Sequence, residues 1–455
     1  MSNKNKEKNT ALKQCVQPKL RFPEFQNLEG WINDTLGSLY TFITTNCYSR
    51  DKLNYKSGIV RNIHYGDIHK KFNALFDIKK EIVPFVNETE NIEKLKSDSY
   101  CIKGDIIFAD ASENMDDVGK SIEIVNLHNE KLLAGLHTIL ARPKGQKFIV
   151  GFGGYLFQSE MIRTQIKKQS QGTKVFGISA SRLATIEIFY PLEKEQQKIA
   201  DCLSSIDELI TAESKKLDAL KIYKKGLMQQ LFPAEGETLP KLRFPEFQAA
   251  PEWDKKAFDQ LIEIIDGDRG VNYPKSEELK DVGYCLFLNA KNVTKFGFKF
   301  NEMQFIDKEK DDALRKGKLH RADIVLTTRG SVGQFAFFSD EIPFENMRIN
   351  SGMVILRIKS KKIDPHYLYY FCKSEFLEIY IKNIAFGNAQ QQLTVAEMKK
   401  FHLCYPDIAE QEKITRTLSS IDTLITNQSK KMDTLKKHKN GLMQQLFPIM
   451  CELKK

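Results

Sequence analysis

Two segments of this chain occur twice. Pro18–Gln26 reads PKLRFPEFQ, and the same nine residues return at Pro240–Gln248, 222 positions later. Leu203–Pro233 and Leu418–Pro448 lie 215 positions apart and agree at 23 of 31 positions. Chance composition does not produce such agreement, so the chain reads as two copies of one unit. Between the repeated ends the copies diverge. Gly135–Leu192 aligns with Asn350–Asp407 without a gap, yet only 11 of 58 positions match. Among them are Arg142/Arg357, Tyr155/Tyr370, Gly172/Gly387 and Tyr190-Pro191/Tyr405-Pro406. The simplest inference is two bodies of one fold with different surface tasks, joined by segments that perform one task twice.

The near-identical segments carry a heptad. In the first copy the inward positions are Ile199, Leu203, Ile206, Ile210, Leu217, Leu220, Leu227 and Leu231. In the second they are Ile414, Leu418, Ile421, Ile425, Met432, Leu435, Leu442 and Leu446. Steps of four and three held this long predict a coiled coil rather than a helix lying on a domain, which shows a broader stripe over a shorter run. Each helix should be about 40 residues and about 60 Å long. Pro191 and Pro406 precede the starts, and Pro233 and Pro448 follow the ends, where a missing N–H does no harm. If the helices pair antiparallel, the polar inward residues Glu213, Gln428, Lys224 and Lys439 set the register.

The bodies mix strands and short helices. Asp105–Ala109 and Asp323–Thr327 read as buried strands entered through Gly104 or Ala322. Thr138–Arg142 and Met353–Ile358 are further strands, and Ile186–Pro191 and Phe401–Pro406 close the bodies. Tyr155–Lys168 and Pro365–Lys382 have helical spacing. The fold class is α+β: two pseudo-repeated α/β bodies, each followed by a long helix. Polar loops punctuate both. In the first body they are Tyr40–Arg50, Asn62–Lys71, Asp110–Asn114 and Gln169–Phe176. In the second they hold Asp266–Gly270, Lys291–Val293, Thr327–Ser331 and Phe386–Gln392. Their Arg, Lys, Asn and Gln suit phosphates and base edges: Arg can pair with guanine, and Asn or Gln with adenine, through two hydrogen bonds. Any one loop is better explained by solvation, so the set carries the argument. The candidate DNA contacts are Asn46, Arg50, His69 and Lys174 in the first body. In the second they are Arg269, Lys291, Asn292, Arg329, Gln390, Gln391 and Gln392.

Composition excludes other classes. The 455 residues hold 69 Lys+Arg against 59 Asp+Glu, a net charge of +10, mild enough to permit a polyanion partner without proving one. With 41% hydrophobic and 28% charged residues, a folded chain is expected. No apolar run approaches the about 18 residues of a membrane span. The first residues lack the apolar stretch of a secretory signal. The eight cysteines are dispersed without a C-x-x-C, which suits free thiols in a reducing cytoplasm rather than a zinc site or disulfide scaffold.

Catalytic constellations are missing. Asn114–Ser121 resembles a phosphate-binding loop, but Asn114 replaces the first glycine that its backbone cradle needs. There is no G-x-G-x-x-G, and no Asn/Asp-Pro-Pro-aromatic segment of the kind DNA amino-methyltransferases carry. His64 and His69 stand five apart, off the spacing of a helical metal pair, and no nuclease carboxylate set emerges. No catalytic residues and no metal site are expected.

Two diverged bodies, each followed by a near-identical helix ending Gly-Leu-Met-Gln-Gln-Leu-Phe-Pro, resemble the specificity subunits of type I restriction-modification systems. The resemblance rests on Gly226–Pro233 and Gly441–Pro448, on the Tyr-Pro junctions before Glu-Gln-Gln-Lys-Ile and Glu-Gln-Glu-Lys-Ile, and on the PKLRFPEF repeats. It covers nearly the whole chain. It implies a non-catalytic DNA-binding subunit whose two target recognition domains read a split, asymmetric site. Two antiparallel helices act as the ruler between them. It further implies two modification (adenine methyltransferase) subunits that bind S-adenosylmethionine, and restriction subunits that use ATP and magnesium, in a bacterial or archaeal cytoplasm. The expected order is a basic tail at 1–17, recognition domains at 18–192 and 234–407, helices at 193–233 and 408–448, and a tail at 449–455. A stand-alone methyltransferase or nuclease with unfamiliar motifs, or a coiled-coil scaffold without a nucleic-acid role, are the alternatives.

Overall fold

The computed structural model describes residues 17–93, 95–386 and 392–449. It divides into two compact units, and neither is continuous with one sequence copy. The first unit takes the chain up to Ser214 and again from Lys431; the second is Lys215–Lys430. Both divisions fall inside the long helices, Glu193–Leu231 and Ile408–Leu446. Sequence alone suggested a body plus its own following helix. Instead, each unit combines a body with the early turns of the helix that leaves it and the late turns of the other helix.

In the first unit a five-stranded sheet has the order Tyr40–Ile43, Thr138–Pro143, Ile106–Ala109, Ser121–Asn126, Leu75–Asp77. A second sheet pairs Lys131–Ala134 parallel with Val60–Ile63. Ile106–Ala109 is buried along its whole length because both faces are covered. Alternation sends Ile106 and Phe108 into one core, Ile107 and Ala109 into another. That is why the strand reads as an unbroken apolar run. The second unit repeats the plan: Ile262–Asp266, Met353–Ile358, Ile324–Thr327 and Phe335–Phe337 form one sheet. Ile324 and Leu326 enter one core and Val325 the other.

The matched residues of the diverged bodies have structural jobs. Arg142 grips Asp105 through Nε (3.0 Å) and Nη2 (2.8 Å), and Arg357 grips Asp323 likewise (2.9 and 2.7 Å). Each aspartate also accepts a backbone N–H three residues upstream, fixing the tight turn before the central strand. That turn needs positive φ, +91° at Gly104 and +70° at Ala322. Tyr155 donates to Asp207, and Tyr370 to Asp422, each at 2.8 Å. The closing strands Glu187–Tyr190 and His402–Tyr405 pair antiparallel with Ile32–Thr35 and Asp254–Ala257.

The exact repeats clamp helix ends. Arg21 holds the buried Glu195 in the first turn of the first long helix at 2.8 and 2.7 Å, and Leu20 N–H donates to Gln445 at the end of the second (2.9 Å). In the second unit Arg243 holds Glu410, and Leu242 N–H donates to Gln230. The terminal phenylalanines are core residues. Phe447 meets Trp31 edge-to-face at 6.1 Å, and Phe232 packs on Tyr367 at 5.5 Å. Invariance of PKLRFPEF and LMQQLFP follows, because each copy must fit one socket.

Every apolar heptad position is buried or half-buried, whereas most residues between them are exposed. Within the first unit the helices run antiparallel, since Asp207 pairs with Lys439 and the later Glu213 with the earlier Lys431. The single helices expected over Tyr155–Lys168 and Pro365–Lys382 are each two: Phe152–Leu156 with Glu160–Gln169, and Pro365–Cys372 with Glu375–Phe386. The first break comes where Ser159 turns extended (ψ 149°). Parts of the expected loops are regular as well, with Tyr40–Ile43 a strand and Tyr65–Lys70 a helix.

Candidate nucleic-acid interface

In each unit four segments meet at one rim of the central sheet. Three are joined by backbone hydrogen bonds at equivalent places. The strand exit Asp110–Ser112 receives the loop that follows Gln169 through Ile178 N–H to Asp110 O (2.8 Å), and it donates from Asp110 N–H to His137 O (3.0 Å). In the second unit Leu393 N–H reaches Thr328 O (3.1 Å), and Thr328 N–H reaches Gly352 O (2.8 Å). The fourth segment follows the first sheet strand, around Asn46–Arg50 or Gly267–Gly270. The frame is shared and the side chains are not.

The first rim gathers Arg50, His69 and the Lys174 loop. His69 Nε2 lies 3.0 Å from Ala111 O, on the strand exit that pairs with Phe176–Gly177. Lys174 is exposed beside them. Arg50 reaches Asp67 (2.9 Å) and the hydroxyl of Tyr55 (3.3 Å), leaving nearly half of its side chain exposed. Burial raises the Asp67 carboxyl, but its bonds to Arg50 and Lys71 outweigh this and hold it below the usual range. Asn46 shapes the rim: its amide nitrogen donates to Asn62 (2.7 Å) and Ala134 O (2.9 Å), and its oxygen accepts from Tyr48 N–H. Sequence reading missed Tyr65 and His137, whose rings stand 5.3 Å apart.

The second rim gathers Arg269, Arg329 and Gln392 around the turn Asn350–Gly352. Arg269 donates to Ser351 O (3.3 Å) and Asp266 (3.1 Å). Arg329 is exposed, bonds Gly352 O through its N–H, and bridges Gln392. Arg315 was missed. Its backbone N–H donates to Asp268 (2.8 Å), whose carboxyl is held low by the N–H groups of Gly270 and Arg315. Its guanidinium lies 3.3 Å from where a side chain on Gly270 would begin.

Lys291 and Asn292 sit on a separate loop. Lys291 is exposed and pairs with Glu302 at 2.5 Å. Asn292 is fully buried: both amide hydrogens go to Lys299 O (3.0 Å) and Glu302 O (2.8 Å), and its oxygen accepts from Asn289 N–H (2.9 Å). It orders the loop and turns no polar edge outward, so it does not have the placement assumed for a base contact. Gln390 and Gln391 lie outside the described residues. Among the described residues, no helix is long and apolar enough to cross a membrane.

Comparison with known proteins resolves the class. A model of the type I restriction modification DNA specificity domain matches residues 29–221 and again 251–437. The chain belongs to the type I restriction-modification specificity family. It is a specificity subunit with two target recognition domains, a non-catalytic component of such a system. The putative type I restriction enzyme MjaX specificity subunit of Methanocaldococcus jannaschii is 25% identical over 410 residues, 88% of each chain. The MjaVIII specificity subunit of the same organism is 26% identical over 302 residues, 64% of this chain and 69% of its own. The fold matches the crystal structure of a type I system S subunit from M. genitalium, with TM-score 0.56 and 16% identity over 96% of this chain and all of that one. A chain from a study of complex assembly and conformational transition in the type I R-M system matches at TM-score 0.57 and 15% identity, over 92% and 97%.

Proposed function

We propose that each recognition domain reads one half of a split, asymmetric DNA site, and that the paired helices form a coiled-coil ruler setting the spacing. The observation that supports this most directly is the duplicated rim. One backbone frame presents imidazole and tyrosine in the first body, and arginine and glutamine in the second. Such rims suit different half-sites, so the site need not be a palindrome. The recognition domains are taken as 18–192 and 234–407. Two modification subunits dock on the equivalent helical segments, where identity within the chain is highest. They bind S-adenosylmethionine and methylate an adenine flipped from the duplex. Restriction subunits join in the cytoplasm and use ATP and magnesium. This chain itself carries no cofactor.

The test is an exchange of residues 27–190 for the first body of another family member. In the assembled complex, sequencing of methylated adenines should report one half-site changed and the other kept. An unchanged site defeats the reading in favour of a scaffold. Methyl transfer by the purified chain alone defeats it in favour of an enzyme.

A further inference from the structure

We infer that His137, backed by Tyr65, is a specificity-determining residue of the first body, accepting a hydrogen bond from an exocyclic base amine in its half-site. This rests on the half-site reading above and assigns it to one side chain. His137 holds φ at +56°, a left-handed conformation disfavoured for a residue with a side chain. Burial does not offset that strain, because half of the side chain is exposed. The equivalent position in the second body is Gly352, in the turn flanked by Arg269 and Arg329. The strained residue therefore stands where the other body presents its arginines.

The ring is aimed. Its Nδ1 lies 3.3 Å from the Asp110 carboxylate, and Tyr65 meets it edge-on at 5.3 Å. Tyr65 is itself fixed against His64 (4.5 Å) and His69 (5.8 Å). His69 is anchored on Ala111 O, next in sequence to Asp110. In the tautomer that carries its proton on Nδ1, an imidazole offers an Nε2 lone pair as acceptor. Adenine N6 and cytosine N4 present donors in the major groove, whereas guanine O6 and thymine O4 present acceptors there. The ring thus prefers adenine or cytosine at its position.

The experiment uses the full chain assembled with its modification subunits and a random double-stranded DNA pool, sequencing the molecules that become methylated. His137→Gly is chosen because glycine accepts the positive φ, so its melting temperature should not fall. One position of one half-site should lose its preference for adenine or cytosine by about 5- to 10-fold, the worth of one hydrogen bond. Tyr65→Leu should loosen the same position less. An unchanged preference overturns the assignment, and so does an even weakening across all sequences, which would mark a backbone contact. Exchange of residues 27–190 separates the two levels. If that exchange changes the site and His137→Gly does not, only His137 is wrong; if neither changes it, the half-site reading fails too.

Discussion

Lys224 Nζ lies 2.6 Å from the carboxylate of Asp422, and the pair is unequal in its exposure: 14% of the lysine side chain against 41% of the aspartate's. Tyr370 donates to the same carboxylate, and the ammonium stands 5.1 Å from its ring. Lys439, Asp207 and Tyr155 repeat the arrangement in the first unit.

Removing one partner should therefore differ from removing the other. Burial already lowers the Lys224 pKa, so Asp422→Ala strands a buried cation and should cost about 2 kcal/mol. Lys224→Met leaves an aspartate that is part-exposed and still bonded to Tyr370. It should change stability by less than about 1 kcal/mol. Chemical denaturation of both variants decides; equal losses would contradict the asymmetry.

Glu123 predicts a pH effect. Burial pushes its carboxyl from 4.5 up to about 7, against the opposing N–H groups of Gly151 (2.8 Å) and Gly154 (2.7 Å). The folded chain holds this proton more tightly than the unfolded chain. The resulting stability is fully present below pH 4.5 and is lost as pH rises through about 7. The stability of the wild type relative to Glu123→Gln should fall by up to about 3 kcal/mol across that window. Thermal melts at half-unit pH steps would reveal it, and a flat difference curve would refute it.

Phe447 lies near the end of the chain yet inside the core of the first unit, 2% exposed. Phe447→Ala should cost about 3–5 kcal/mol. The loss should appear in the fluorescence of Trp31, its edge-to-face neighbour, read in a Trp253→Phe background. A loss under about 1 kcal/mol would mean that the helix end does not seal that core.

DNA contacts should separate by salt and sequence. Arg329→Ala should relax one base position at about 1–3 kcal/mol, whereas Lys174→Ala should weaken all sequences evenly and reduce the salt slope by about 1. Glu302→Ala frees Lys291 from its partner and should strengthen binding to every sequence. Binding titrations of the assembled complex across a salt series check all three.

The frame was legible in the sequence because duplication and heptad period record it directly. The strands at Ile106–Ala109 and Met353–Ile358 were legible because sheets covered on both faces need continuous apolar runs. The discontinuity of the first unit was hidden, since no local pattern says that Phe447 completes the core around Trp31. Rim residues were harder. Residue type pointed to Arg269, Arg329 and Gln392, which the fold brings together, and equally to Asn292, which it buries. His137 adjoins a strand and carries no turn signal, so only its backbone angle marks it.

Pairing of Ile32–Thr35 with Glu187–Tyr190 puts the two ends of the first body side by side, about 4.8 Å apart as neighbouring strands are. Asp254–Ala257 and His402–Tyr405 do the same for the second. A body closed in this way is a parenthesis in the chain. Its contents can be lengthened, shortened or rewritten while the polypeptide on either side keeps its path. A new specificity then requires a new insert between two paired strands, and not a new protein.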